Sequence, residues 1–175
     1  MFFDVHDLEK RPIRFDQVFA PGSIELLDEG VRQVGDLRAA GVVEMIDPFG
    51  AREIRMRGQV EGVMEVPCAR CLAATRFAVS GRLDLFYRPM AEIARDEEVA
   101  INEAETEVGF YEDPGVELAD VVREQIMIGL PMRNICRPDC QGICPLCGTN
   151  RNLEACQCRE EFSDSRWESL RNLRT

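Results

Sequence analysis

Residues 54–71 read Ile54-Arg55-Met56-Arg57-Gly58-Gln59-Val60-Glu61-Gly62-Val63-Met64-Glu65-Val66-Pro67-Cys68-Ala69-Arg70-Cys71. The even positions from Ile54 to Val66 are apolar or glycine, while the odd ones carry Arg55, Arg57, Gln59, Glu61, Val63 and Glu65. Side chains of an extended chain point alternately to opposite faces, so this period of two predicts a long strand with one buried face. After Cys71 the apolar set resumes on odd positions, Phe77, Val79, Gly81, Leu83, Leu85 and Tyr87, against Arg76, Ala78, Ser80, Arg82 and Asp84. Two such strands joined by a short turn predict an antiparallel hairpin with Cys68 and Cys71 at its tip. Its outer face would carry Arg55, Arg57, Arg76 and Arg82, a candidate surface for nucleic acid or an anionic partner, although a merely solvated strand face accounts for them as well.

The cysteine pair at the tip has company downstream. The chain holds eight cysteines, and six lie in one stretch: Cys136-x3-Cys140-x3-Cys144-Pro145-x-Cys147-Gly148, then Cys156-x-Cys158. Close pairs suit tetrahedral zinc, because a tight turn presents two thiolates to one ion at about 2.3 Å. Disulfides are the competing account. Bridging near neighbours closes small strained rings, and the opening Met1-Phe2-Phe3-Asp4-Val5-His6-Asp7 lacks the cationic and apolar pattern of an export signal. Eight thiolates would hold two zinc ions in closed sites. Cys144, Cys147, Cys156 and Cys158 can form a local ribbon site, leaving Cys136 and Cys140 to meet Cys68 and Cys71. The nested grouping, Cys136/140/144/147 with Cys68/71/156/158, fits the spacing too. In the first grouping one ion staples the hairpin tip to a distant segment, which is feasible because loop closure costs grow only logarithmically with length while structural zinc contributes on the order of 10 kcal/mol.

Working outward, Ile13–Phe19 alternates like a half-buried strand and stops at Pro21-Gly22, and Val42–Ile46 suggests another strand, closed by the turn-forming Asp47-Pro48-Phe49-Gly50. Residues 91–109 combine acids with isolated apolar side chains and read as an acidic connector, either solvating or holding a basic protein. Val108–Tyr111 suggests a short strand. Leu118, Val121, Val122, Ile126 and Leu130 form a helical stripe suited to covering the hairpin, and Pro131 ends that helix. The expected class is therefore α+β: an antiparallel hairpin or meander packed on a helix, with a C-terminal zinc ribbon. The expected organisation is a core domain at 1–135 and a cysteine-rich segment with tail at 136–175, docked on the core.

The formal charge of -11 is unevenly spread: residues 96–124 hold eleven acids and one arginine, whereas residues 51–95 hold five acids and eight arginines. Only Lys10 is a lysine, so almost all positive charge is guanidinium, suited to bidentate phosphate or carboxylate contacts. No apolar run approaches the roughly 20 residues that cross a bilayer, which points to a cytoplasmic protein without a membrane partner.

Together, Pro67-Cys68-x-Arg70-Cys71-Leu72, the helix ending Glu124…Leu130-Pro131, and Cys136-x3-Cys140-x-Gly142-x-Cys144-Pro145-x-Cys147-Gly148-x-Asn150-x-Asn152…Cys156-x-Cys158 resemble the bacterial YceD family. The resemblance covers roughly residues 54–158. It implies a role in accumulation of large-subunit (23S) ribosomal RNA and in ribosome assembly, with the large-subunit precursor, its RNA or a ribosomal protein as partner, and with no established enzymatic reaction. His6 is the only histidine and lies in an unpatterned terminus, and no phosphate loop or nucleophile elbow is present. The expectation is a non-enzymatic zinc-binding assembly factor. The alternative is a redox-switched zinc chaperone or thiol sensor, because thiolates are the oxidisable form of cysteine.

Overall fold

A computed structural model describes residues 1–46, 52–90, 108–112 and 114–158. The Asp47–Gly50 turn, the connector at 91–107 and the tail from 159 lie outside the described residues. The elements run β1 (Phe2–Asp4), α1 (Val5–Leu8), β2 (Ile13–Phe19), β3 (Arg32–Gln33), β4 (Leu37–Ile46), β5 (Glu53–Pro67), β6 (Ala74–Pro89), β7 (Val108–Tyr111), β8 (Gly115–Glu117) and α2 (Leu118–Gly129). They divide into two compact units, Met1–Val66 with Ala74–Met132, and Pro67–Ala73 with Arg133–Thr175. Contacts thus group the short turn between β5 and β6 with the cysteine-rich segment and separate it from the strands that flank it.

The first unit is mixed α+β, mostly sheet with few helices. Its main sheet has the order β2-β4-β5-β6-β7, with β3 also pairing to β5. β2 and β4 are antiparallel from Ile13↔Val43 to Phe19↔Leu37, and β4 and β5 from Arg38↔Glu61 to Ile46↔Glu53. β5 and β6 are neighbours, and the few residues joining them are too short for a parallel crossover, so they run antiparallel. β7 departs from the meander by pairing with β6 in parallel, Phe86↔Val108 to Pro89↔Tyr111. A second small sheet joins β1 to β8 through Phe2↔Glu117 and Asp4↔Gly115.

The core follows the period of two. Ile54, Met56, Val60 and Met64 of β5 are wholly buried, as are Leu37, Ala39 and Val43 of β4, and Val79, Leu83 and Tyr87 of β6 lie in the same cluster. Leu118, Val121, Val122 and Ile126 of α2 complete it, while Phe3 and Phe15 meet with ring centroids 5.6 Å apart. The helix stops because Leu130 precedes Pro131 and is pushed to extended backbone, φ -75 and ψ 144. Among the described residues no helix is long and apolar enough to cross a membrane.

Gly41 and Gly58 face each other across β4 and β5. A Cβ on Gly41 would drive into the Arg57 carbonyl oxygen and meet the Phe15 ring at 2.9 Å, whereas a Cβ on Gly81 would meet nothing within 4 Å. Gly41→Ala is therefore expected to destabilise the protein by about 1–3 kcal/mol as an overpacking change. Gly81→Ala should be close to neutral, and thermal unfolding followed by circular dichroism compares the two.

Candidate metal centres

Two short segments of the second unit fold alike. In Cys68-Ala69-Arg70-Cys71-Leu72-Ala73, the Cys68 amide donates to the Ala73 carbonyl and the Leu72 amide to the Cys68 carbonyl, both at 2.9 Å. In Cys144-Pro145-Leu146-Cys147-Gly148-Thr149 the same two bonds recur, from the Cys144 amide to Thr149 and from the Gly148 amide to Cys144, both at 2.8 Å. Each loop places a residue in the left-handed region just after its second cysteine, Leu72 at φ 60 and Gly148 at φ 73. Glycine adopts that conformation freely, whereas a side chain there costs roughly 1–2 kcal/mol. The 68–71 loop tolerates leucine because the side chain is exposed and the hydrogen bonds on both sides of it are made.

Further backbone bonds tie the unit together. The Ala69 amide donates to the Asn134 carbonyl at 2.7 Å, the Ile143 amide to the Arg70 carbonyl at 3.0 Å, and the Arg70 guanidinium to the Cys140 carbonyl at 3.0 Å. Gly142, at φ 73, lets the chain pass close to Arg70, whose carbonyl oxygen would lie 3.1 Å from a Cβ at that position.

These contacts gather the sulfurs into two tetrads, Cys68/Cys71/Cys136/Cys140 and Cys144/Cys147/Cys156/Cys158, each with its four sulfurs within 4.8 Å of one another. The nested grouping is not the one seen. All eight cysteines are free thiols. A tetrahedron with metal–sulfur bonds of about 2.3 Å has sulfur–sulfur edges of about 3.8 Å. In the first tetrad Cys68 Sγ lies 3.9 Å from Cys140 Sγ, and Cys71 Sγ lies 3.7 Å from Cys136 Sγ. The donor set and the spacing fit a dication such as zinc at both places.

Electrostatics favour the thiolate at two cysteines of each tetrad, Cys68 and Cys140 in the first and Cys144 and Cys147 in the second. The amides of Cys136 and Cys71 lower the Cys68 pKa to about 6, and those of Cys147 and Leu146 lower that of Cys144 to about 6. The Cys136 amide reaches Cys68 Sγ at 3.4 Å and the Arg70 amide at 3.5 Å. Crowding works the other way: beside Cys147, and with burial adding to it, Cys158 is pushed up to about 12. Four thiolates cannot share so small a space without a cation, so metal binding would release protons from the thiols that remain.

Sequence reading gave Asn152 no role beyond its place in the Asn150-x-Asn152 part of the family motif. Its side-chain nitrogen donates to Cys140 Sγ at 3.4 Å, and its Oδ1 accepts from the Gln141 amide at 2.8 Å and from Arg137 at 2.9 Å. Asn150 fixes it in turn, accepting from the Asn152 amide at 3.0 Å and side chain at 2.8 Å. Arg151, next to it, donates to Cys144 Sγ in the other tetrad at 3.7 Å. The turn between the fourth and fifth cysteines of the run thus serves both sites. The signal available in sequence was the Asn-x-Asn spacing, without the contacts to say which sulfur it serves.

The four outward arginines are not equivalent. Arg55 makes a bidentate pair with Asp84, at 2.9 and 3.1 Å, and lies 4.9 Å over the Phe86 ring. Arg57 pairs with Glu44 at 2.7 Å. Arg76 and Arg82 are exposed and form no ion pair among the described residues. Two of the four charges are thus balanced within the sheet. His6 is exposed, 3.3 Å from an Asp4 carboxylate oxygen, and belongs to neither tetrad.

The family model described as "Large ribosomal RNA subunit accumulation protein YceD" matches residues 56–174. The uncharacterized proteins Rv2926c of Mycobacterium tuberculosis and Mb2951c of Mycobacterium bovis are each 32% identical over 171 residues, covering 96% of this chain and 72% of their own. The uncharacterized protein YlbN of Bacillus subtilis is 21% identical over 139 residues, covering 78% of this chain and 73% of its own. No solved structure matches.

Native mass spectrometry of the zinc-loaded chain is expected to read two ions, one per tetrad. Losing an outer hydrogen bond to a metal ligand typically costs 10–100-fold in affinity, so Asn152→Ala should release one ion at least about tenfold more readily to a competing chelator. The second ion should be released as in the unaltered protein.

Proposed function

The chain belongs to the YceD family, and from that premise we propose that it is a non-enzymatic, zinc-binding factor that supports accumulation of large-subunit (23S) ribosomal RNA during ribosome assembly. The observation that carries the reading is the family match over residues 56–174, which takes in most of β5, all of β6 and α2, and all eight cysteines. The tetrads support a structural role for the metal, because four thiolates fill tetrahedral zinc and leave no position for substrate or water. The 136–158 segment would then be a zinc ribbon held by its two ions, acting in the cytoplasm on a large-subunit precursor.

Contact with that precursor, through its RNA or a ribosomal protein, would fall to charges the fold leaves unbalanced. Phosphate contacts release counterions and give salt-dependent binding. Arg76→Glu with Arg82→Glu should therefore lower co-sedimentation with large-subunit precursors, whereas Arg55→Glu and Arg57→Glu first break ion pairs and report on stability as well.

Cells lacking the protein are expected to show a lowered ratio of large- to small-subunit RNA under ordinary, non-oxidising growth, and Cys68→Ser should fail to restore it. A normal ratio, with protein aggregation appearing only after oxidant stress, would overturn this reading and put a redox-switched zinc chaperone in its place.

A further inference from the structure

Beside Tyr87 the strand-and-helix unit has a cleft of about 230 Å³, walled by β6, the end of β7, β8 and the first turns of α2. Tyr87 is only 8% exposed, and its ring lies so close to Gly109 that a Cβ there would meet Cε1 at 2.7 Å and Cδ1 at 2.8 Å. The ring packs against Gly109 and lines the cleft. A buried phenol ordinarily finds a hydrogen-bond partner. The Tyr111 hydroxyl does, donating to the Arg52 carbonyl at 2.9 Å, whereas the Tyr87 hydroxyl has no hydrogen-bond partner among the described residues and, not being one of the buried atoms left without a partner, is reached by solvent from the cleft.

The rest of the lining says what partner would suit it. Four carboxylates border the cleft, and two are already balanced: Asp120 pairs with Arg123 at 2.7 Å and Glu117 with the Met1 amino group at 2.8 Å. Glu112 and Glu124 are exposed and form no ion pair among the described residues. Phe110, 43% exposed, adds an aromatic ring to the same lining. Burial, with the Glu124 charge adding to it, holds the Tyr87 pKa up to about 12, so the phenol is neutral at pH 7 and the unbalanced charge is that of the two glutamates.

A bare metal ion does not fit this lining. Among the described residues, the groups of three or more ligand atoms that converge within 4.8 Å are the two sulfur tetrads alone, so the carboxylates of the cleft are spread too widely to cage an ion. Dispersed negative charge beside aromatic faces suits an organic cation on an apolar stem. The volume is below the roughly 300–1,000 Å³ of pockets for drug-sized molecules and is of the size that one long side chain fills.

We propose that this cleft binds one alkylguanidinium or alkylammonium group, with Glu112 and Glu124 balancing its charge, Phe110 packing on the stem or cation, and the Tyr87 hydroxyl accepting one of its N–H donors. An arginine or lysine of a basic polypeptide presents that chemistry, and so does a free polyamine. The inference goes beyond the ribosomal reading and uses neither the metal centres nor RNA.

The test is an NMR titration of the full zinc-loaded chain with three probes: a capped Gly-Arg-Gly-Arg-Gly peptide, its citrulline counterpart and spermidine. Saturable binding of the arginine peptide that shifts the Tyr87 and Phe110 resonances is expected, with no binding of the uncharged citrulline peptide. Glu112→Gln with Glu124→Gln should weaken binding about tenfold or more, and Tyr87→Phe by a few fold, as loss of charged and neutral hydrogen bonds predicts. Asp28→Asn with Glu29→Gln, an acidic pair elsewhere on the unit, should leave it unchanged. Tighter binding of the peptide assigns the site to a polypeptide, and tighter binding of spermidine to a free polyamine. Equal binding of the citrulline peptide, equal loss in the Asp28/Glu29 variant, or no saturable binding of either cation overturns the proposal. Because this is a binding measurement on purified protein, its failure leaves the ribosomal RNA ratio in cells as a separate question.

Discussion

A strand can hide only every second side chain, and the sheet is arranged around the long strand β5, which obeys that limit. Ile54, Met56, Val60 and Met64 are all on one face and wholly buried. The register with β4, Val43 opposite Met56 and Ala39 opposite Val60, is the one that keeps both strands' apolar sets on the same side. A slip of one residue would turn Arg55 and Arg57 inward, where unpaired charge is costly. With the buried face set, the other elements have little freedom. β6 must continue it, β2 brings Phe15 and Phe19, and α2 covers it with Leu118, Val121, Val122 and Ile126. Gly41 and Gly58 belong to the same constraint, since the approach of β4 to β5 under the Phe15 ring leaves no room for a Cβ at either position.

The second unit solves the problem of a small core differently. Among its described residues the buried cluster is Cys68, Cys71 and Cys140, with Ile135 partly buried against it, while Leu72, Leu146 and Leu153 remain exposed. So little buried carbon among the described residues is what small modules that depend on a structural metal commonly have. Two turns with one hydrogen-bond pattern set up the thiols, and Asn152 and Arg151 carry the ordering from one tetrad to the other. The description of the family to which the chain belongs concerns accumulation of large-subunit ribosomal RNA.

Much of this was readable along the chain. The alternation from Ile54 to Val66 and from Phe77 to Tyr87, the strand at Ile13–Phe19, the stripe of α2 and its stop before Pro131 are local patterns, because side-chain direction repeats every 2 or 3.6 residues whatever lies across from it. The Cys-x-x-Cys turns and the family motifs were readable for the same reason. Tertiary structure alone decided that β7 joins β6 in parallel, that β1 pairs with β8, and that β4 begins at Leu37 and not at Val42. It also decided that Arg55 and Arg57 are held by Asp84 and Glu44, and that Cys136 and Cys140 share a site with Cys68 and Cys71. Each of these depends on groups brought together from distant parts of the chain, 72 residues apart for Cys68 and Cys140. Spacing restricts which thiols can be neighbours within a turn, but the free energy that chooses between whole sets of neighbours resides in the packed chain.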